Sequence, residues 1–256
     1  MKILTIGDVV GMNGCKFLRA HLPSLKKIKS IDIVIANGEN SADGNGITPV
    51  SAEHLFKSGV DVITTGNHAF RRKEVYSLYD DNPYLIRPAN FYENVTPGRG
   101  VCVLDMGKFK ITVINLIGLV YMESLNCPFR TVDKILDENK SNITIVDFHA
   151  EATAEKKCMG FYLDGRVSAI FGTHTHVQTA DEVILPNGTG YITDIGMTGA
   201  MDSVLGVKAN LAIDRMKNKL PVRFETSKGA TKMDCAIFDI DEKTGKTTSI
   251  ERLGIS

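Results

Sequence analysis

The chain has 256 residues, 43% of them hydrophobic and 23% charged, with 30 basic and 30 acidic side chains. That length supports one large domain with a substantial core. The balanced charge lacks the basic surplus of proteins that hold long nucleic acids, so no extended nucleic-acid partner is expected.

The opening MKILTIGDVVG turns polar at Asp8, too early for a signal-peptide core. Its apolar run predicts a first strand over residues 2–6. Phe17, Leu18, His21, Leu22 and Leu25 then share a helical face, with Pro23 as an expected end or kink. Strands are predicted at 31–36 and 61–64, separated by a helix with Thr48 as cap, Pro49 at its first position and Gly59 as its stop. This β-α-β-α-β opening favours a parallel sheet covered by helices.

Further strands are predicted at 101–104, 110–116, 143–148, 167–171 and 191–194. The short turns 105–110 and 241–246 suggest hairpins, so the expectation is two packed mixed sheets flanked by helices in a single domain, 1–256. Residues 92–100 and 196–206 read as the longest irregular segments, of the kind that borders active sites. No apolar stretch reaches membrane-spanning length. The five cysteines are scattered with no CxxC pair, which fits reduced thiols in the cytoplasm.

The polar residues fall at strand ends. Asp8 follows the first strand, Glu39 and Asn40 the second, and Asn67 and His68 the third. His149 closes a later strand in ITIVDFHA, and His174 and His176 follow the next in AIFGTHTH. In parallel sheets such ends line one edge, where ligand crevices form. Gly7, Gly38, Gly66 and Gly172 stand beside these residues and permit tight turns. If the segment after the later strand is extended, His174 and His176 face the same side, so both imidazoles could point into one site, each toward a different metal. Carboxylates, amides and imidazoles without thiolate suit ions such as Mn, Fe or Zn, and a carboxylate such as Glu39 can bridge two of them.

Each residue also has an ordinary reading. Asp8 or Asn67 alone could cap a helix or form a turn, Glu39–Asn40 could be a polar loop, and a single histidine is more often a satisfied core residue. His21 and His54 fall inside predicted helices and carry no assigned chemistry. The cluster of Arg71, Arg72 and Lys73 could steer phosphate or simply solvate a helix face. The glycine-rich loop 43–46 could admit substrate backbone or be a plain turn.

The segments GDVVG, IANGENSADGNGIT, GVDVITTGNH, DFHAEATAEK, FGTHTHVQTADEVILPNGTGYITDIGMTG and DSVLG together resemble the YmdB-like branch of the calcineurin-like metallophosphoesterases. The resemblance implies a four-layer α/β/β/α sandwich and hydrolysis of cyclic nucleotides, notably 2′,3′-cyclic phosphodiesters, by members that self-associate. It implies one metal ion held by Asp8, Glu39, Asn40 and His176, and a second by Glu39, Asn67, His149 and His174. His68 would be the acid or phosphate-contacting residue. The chain departs from the branch at Phe70 and Arg71, where a Trp-Asp pair is usual, and at Cys15, where an arginine is common. Two rival functions stand beside this one: a phosphomonoesterase or nucleotidase on the same metals, and a regulatory RNA- or protein-binding module with a vestigial site.

Overall fold

A computed structural model describes residues 1–92 and 95–256. The expected irregular segment 92–100 therefore lies partly outside the described residues. In chain order the elements begin β1 (Lys2–Ile6), β2 (Asp8–Val9), α1 (Gly11–Lys29), β3 (Ile33–Asn37), α2 (Pro49–Lys57) and β4 (Val62–Thr64). After a 3-10 turn, Lys73–Val75, come α3 (Tyr76–Asp81), β5 (Val101–Asp105), β6 (Lys110–Ile117), α4 (Pro128–Glu138) and β7 (Ile143–His149). The chain ends with α5 (Thr153–Tyr162), β8 (Ala169–Thr173), β9 (Val183–Ile184), β10 (Gly190–Ile192), β11 (Met197–Ala200), α6 (Ala209–Asn218), β12 (Thr231–Ile240) and β13 (Thr247–Ile255).

The strands form two mixed sheets. One has the order β2-β11-β12-β1-β3-β4, with β13 also paired to β12; the other runs β5-β6-β7-β8-β10-β9. The parallel runs β1-β3-β4 and β6-β7-β8-β10 sit inside these sheets. Both expected hairpins form, as β5–β6 and β12–β13.

Period-two alternation explains the layering. Ile3, Ile33, Ile35 and Val62 of the first sheet face Ile111, Val113, Ile143, Ile145, Ala169 and Phe171 of the second in one buried cluster. The intervening residues Leu4, Ile6, Val34, Ala36 and Ile63 turn outward against Leu18, Leu22 and Leu25 of α1 and Leu55 of α2. On the far side Ile114, Leu116, Val146, Phe148 and Ile170 pack against Val132 and Ile135 of α4 and Met159 of α5. The result is the expected α/β/β/α sandwich.

α1 runs on through Pro23 to Lys29, which corrects the expected end there. Pro23 and Arg19 are both exposed, so the Arg19 carbonyl deprived of an N–H partner faces water. Thr48 caps α2 in a reciprocal capping box with Ser51, as its threonine and proline predict. Residues 196–206 are only partly irregular, because Met197–Ala200 form β11, which pairs with Asp8–Val9.

Candidate metal centre

The inner faces of β3, β4, β7 and β8 change character at their C-terminal ends. Each begins with apolar residues, then delivers Asn37, Thr64, Asp147 with His149, and Thr173 at the same alternate positions, all of them buried. The two parallel runs thus bring their polar ends together between the sheets.

All eight residues singled out at strand ends meet there. Asn67 Oδ1 lies 2.9 Å from His149 Nε2, His174 Nδ1 3.1 Å and Glu39 Oε1 3.3 Å from the same nitrogen. On the other side Asn40 Nδ2 is 3.3 Å from His176 Nε2, and His176 Nε2 is 3.6 Å from Asp8 Oδ1. Glu39 joins the two groups, since its Oε1 also accepts from Asn40 Nδ2 at 3.1 Å. His68 stands at the rim. Its amide donates to Glu39 Oε2 at 3.0 Å, and its Nδ1 is 2.9 Å from Asn40 Oδ1. Gly66 allows this closeness, because an added Cβ would sit 2.3 Å from His149 Nε2.

The hydrogen-bond network fixes which ring nitrogens face the cluster. Thr173 Oγ1 donates to Asp147 Oδ1 at 2.7 Å, so its 2.8 Å contact with His149 Nδ1 requires the proton on Nδ1. His176 Nδ1 lies 3.0 Å from the Leu205 carbonyl, and His174 Nε2 lies 3.1 Å from Glu151 Oε2. Both partners only accept. Each histidine is thus pinned by one nitrogen to an outside acceptor, and the other nitrogen is turned inward, the arrangement of metal-ligating imidazoles.

The carboxylates and imidazoles at the centre also shift one another's ionisation. Burial would raise the Glu39 carboxyl, yet the neighbouring His149 and His68 outweigh it and hold it well below the usual carboxylate range. Burial likewise opposes ionisation of Asp8, but His176 and His149 keep its carboxyl low. His149 resists burial through Glu39 and Asp8, which push it up to about 9. His174 is driven down to about 4 by burial and by His149. Asp8 Oδ1 is buried with no hydrogen-bond partner among the described residues, a costly condition for a carboxylate unless a ligand meets it.

Supporting groups appear that strand-end reading did not single out. Asp147 accepts from Thr64, Thr173 and Asn37 behind His149; burial pushes its carboxyl up to about 7. Asp194, paired with buried Lys156 at 2.7 Å, accepts from both the amide and the hydroxyl of Thr175. That grip explains a further correction. His174 and His176 are not extended but left-handed, with φ of 98° and 62°. The loop turns between them, and the two imidazoles still enter one cluster, each at a different half. A charged residue inside an apolar strand run was the available signal for Asp147, since such a residue needs buried partners.

Arg72 is structural. Its guanidinium donates to the Asp43 and Asn45 carbonyls and latches the glycine-rich loop. Arg71, whose amide donates to the His68 carbonyl at 3.1 Å, is exposed. His54 rests against the Cys15 carbonyl at 3.2 Å, and His21 stacks on Phe17. A surface cavity around Met1, Asp239 and Glu242 lies at the opposite end of β1 and holds none of the eight residues.

Similarity to known proteins follows the same outline. A Bacillus subtilis (strain 168) protein named 2′,3′-cyclic-nucleotide 2′-phosphodiesterase is 46% identical over all of this chain and 97% of its own length. A crystal structure of a hypothetical protein from Thermus thermophilus superposes with a TM-score of 0.94 at 38% identity, covering 99% of this chain and 98% of that one. A Mycoplasma pneumoniae structure described as a novel phosphatase gives 0.95 at 34% identity, covering 100% and 93%. The profile described as YmdB-like protein matches residues 4–253, and with these relatives along its whole length the chain belongs to the YmdB-like family.

Proposed function

We propose that the chain is a phosphodiesterase that hydrolyses small cyclic nucleotides, 2′,3′-cyclic phosphates among them, at a centre of two transition-metal ions. The observation that carries the proposal is the set of inward-turned nitrogens of His149, His174 and His176 facing buried Asp8 and Glu39. The Bacillus relative's named activity supports the substrate class.

One ion would be held by Asp8, Glu39, Asn40 and His176, the other by Glu39, Asn67, His149 and His174. This oxygen and imidazole set fits Mn, Fe or Zn. Such a pair of ions supplies an acidified water and charge neutralisation for the phosphoryl oxygens. Glu39, 1% exposed and in contact with both halves, would be the carboxylate shared by the two ions. Asn40 would ligate through oxygen, which requires its amide to turn over from the arrangement that points Oδ1 at His68. Its Nδ2–H would then donate to His68 Nδ1 and leave the His68 proton on Nε2, available to the leaving oxygen. In the overall reaction water oxygen bonds to phosphorus and the P–O2′ bond breaks. The 2′ oxygen departs protonated, and the product is a 3′-phosphomonoester.

A monoesterase reading has one observation in its favour: Arg71, whose backbone amide bonds to the His68 carbonyl, is exposed and has no side-chain partner among the described residues. A phosphomonoester carries nearly two charges, and Arg71 could meet the second. We expect the diester to win. Its five-membered ring is strained and singly charged, so a 2′,3′-cyclic nucleotide should show a higher kcat/KM than the matching monoester. Steady-state kinetics on metal-loaded protein make the comparison, and the reverse order would replace the phosphodiesterase with a nucleotidase. The convergence of all eight residues speaks against a vestigial module.

Residues 1–256 are taken as one metallophosphoesterase domain, because both sheets contribute to the cluster. Five free cysteines support a cytoplasmic setting, and no described helix is long and apolar enough to cross a membrane. Self-association would cover the outer side of α6 and its continuation, where Ile213, Met216 and Leu220 are 59%, 67% and 66% exposed. Light scattering should give a mass above one chain, and a monomer at micromolar concentration would remove that expectation.

A further inference from the structure

Seven non-glycine residues among those described have positive φ. Ser30 and Lys219 end helices, and Asn45 lies in the loop that Arg72 latches. His174, His176 and Leu205 belong to the donor cluster. That leaves Tyr121, at φ 63°, which the chemistry described so far does not use. A bulky residue in the left-handed region is uncommon, and such conformations gather at ligand sites.

Tyr121 lies on the loop that leaves β6 at the same edge as the cluster. Ile117 is the register partner of His149, and the Gly118 amide donates to the His149 carbonyl at 2.9 Å. Tyr121 follows Gly118 by three positions, so their Cα atoms are within about 11 Å of each other. The base of the loop is firmly held. Asn90 accepts from the Ile117 amide and donates to the Ile117 and Asn126 carbonyls, at 2.9, 2.9 and 3.0 Å. The Glu155 carboxylate accepts from the Leu119 and Val120 amides at 2.8 and 3.3 Å. Gly118 makes room for it, as a Cβ there would lie 2.4 Å from Glu155 Oε2.

The apex, by contrast, is bare. Tyr121 is 90% exposed, the highest value among the large exposed hydrophobic residues described, and it makes no side-chain hydrogen bond or ring contact among the described residues. A tyrosine on a clamped loop presents a rigid aromatic face at little ordering cost. Stacking on such a face suits every nucleobase, because each has a π-face.

We propose that Tyr121 is the platform on which the nucleobase of the substrate stacks while its phosphodiester occupies the cluster. The proposal rests on the phosphodiesterase reading and adds the part of the substrate that the metal centre does not touch. Recognition by stacking tolerates different bases, so purine and pyrimidine cyclic nucleotides are all substrates, with purines favoured by their larger face.

The test compares 2′,3′-cyclic AMP with methyl riboside 2′,3′-cyclic phosphate, which has the same ring and no base. Tyr121→Ala should lower kcat/KM for the nucleotide by about 5- to 150-fold, the range of base-stacking losses. The change should fall in KM rather than kcat. Tyr121→Phe should restore it, and the base-less diester should not distinguish the variants. Equal losses on both substrates would make the loop merely structural, and an unchanged nucleotide KM would overturn the platform. If the wild-type protein cleaves neither diester, the phosphodiesterase reading fails by itself. Calorimetric binding of adenosine 3′-monophosphate then decides on Tyr121: weaker binding by Tyr121→Ala than by Tyr121→Phe supports the platform, and equal or absent binding overturns it.

Discussion

Replacing Glu39 with alanine should strip the centre of most of its metal and abolish nearly all turnover. Wild-type protein is expected to hold about two ions per chain, as binuclear hydrolases do. Glu39 is the side chain that contacts both halves of the cluster: Oε1 reaches Asn40 and His149, and Oε2 accepts the His68 amide. A substitution elsewhere removes one donor from one half. Glu39→Ala removes a donor from each, together with a negative charge that sits beside buried His149 and half-buried His68. The loss of rate should therefore exceed the ~10²–10⁴-fold typical of losing a single acid–base group. Metal content by elemental analysis and turnover on a cyclic diester are the paired readouts, with circular dichroism as the control for folding. A variant that kept both ions and normal turnover would falsify the bridging assignment.

His68→Ala should behave in the opposite way towards metal. His68 is half-buried at the rim, and its side chain addresses Asn40 and Glu39 rather than the inward-turned nitrogens. We expect the variant to keep its full metal content and to lose turnover by ~10²–10⁴-fold, the usual contribution of a positioned proton donor. The loss should shrink for a diester whose leaving group is a weak base, such as a nitrophenolate, because that oxygen departs without a proton. Metal lost along with activity would make His68 a ligand. A loss of the same size for every leaving group would instead assign it to holding the phosphate.

Much of this architecture is legible in the sequence because it depends on local periodicity. Buried parallel strands appear as apolar β-branched runs, and β1, β3, β6 and β7 lie within a few residues of where those runs place them. The eight polar residues were visible because each interrupts or ends such a run, where polarity needs a reason. Short edge elements were not. β2 and β9 have two residues each, and β11 contains two small residues in MTGA; such strands exist through their partners more than through their own pattern.

What the sequence determined by itself is the set of strand ends and the side chains they carry, since alternation and glycine or proline punctuation act within a few residues. It also determined the two-sheet outline, through the parallel opening and the later hairpins. The tertiary structure decided how those ends become a site. Asp8, Glu39, Asn40 and Asn67 come from one sheet and His149, His174 and His176 from the other, so the cluster exists only where the two sheets face each other. The left-handed turn between His174 and His176 is held by Asp194, and the ring orientation of His149 is held by Thr173 and Asp147. The bonds from Thr175 to Asp194, from Thr173 to His149 and from Thr173 to Asp147 span 19, 24 and 26 residues of chain. Such long-range hydrogen bonds leave no periodic trace, because their geometry is set by packing between layers rather than by the spacing of neighbours.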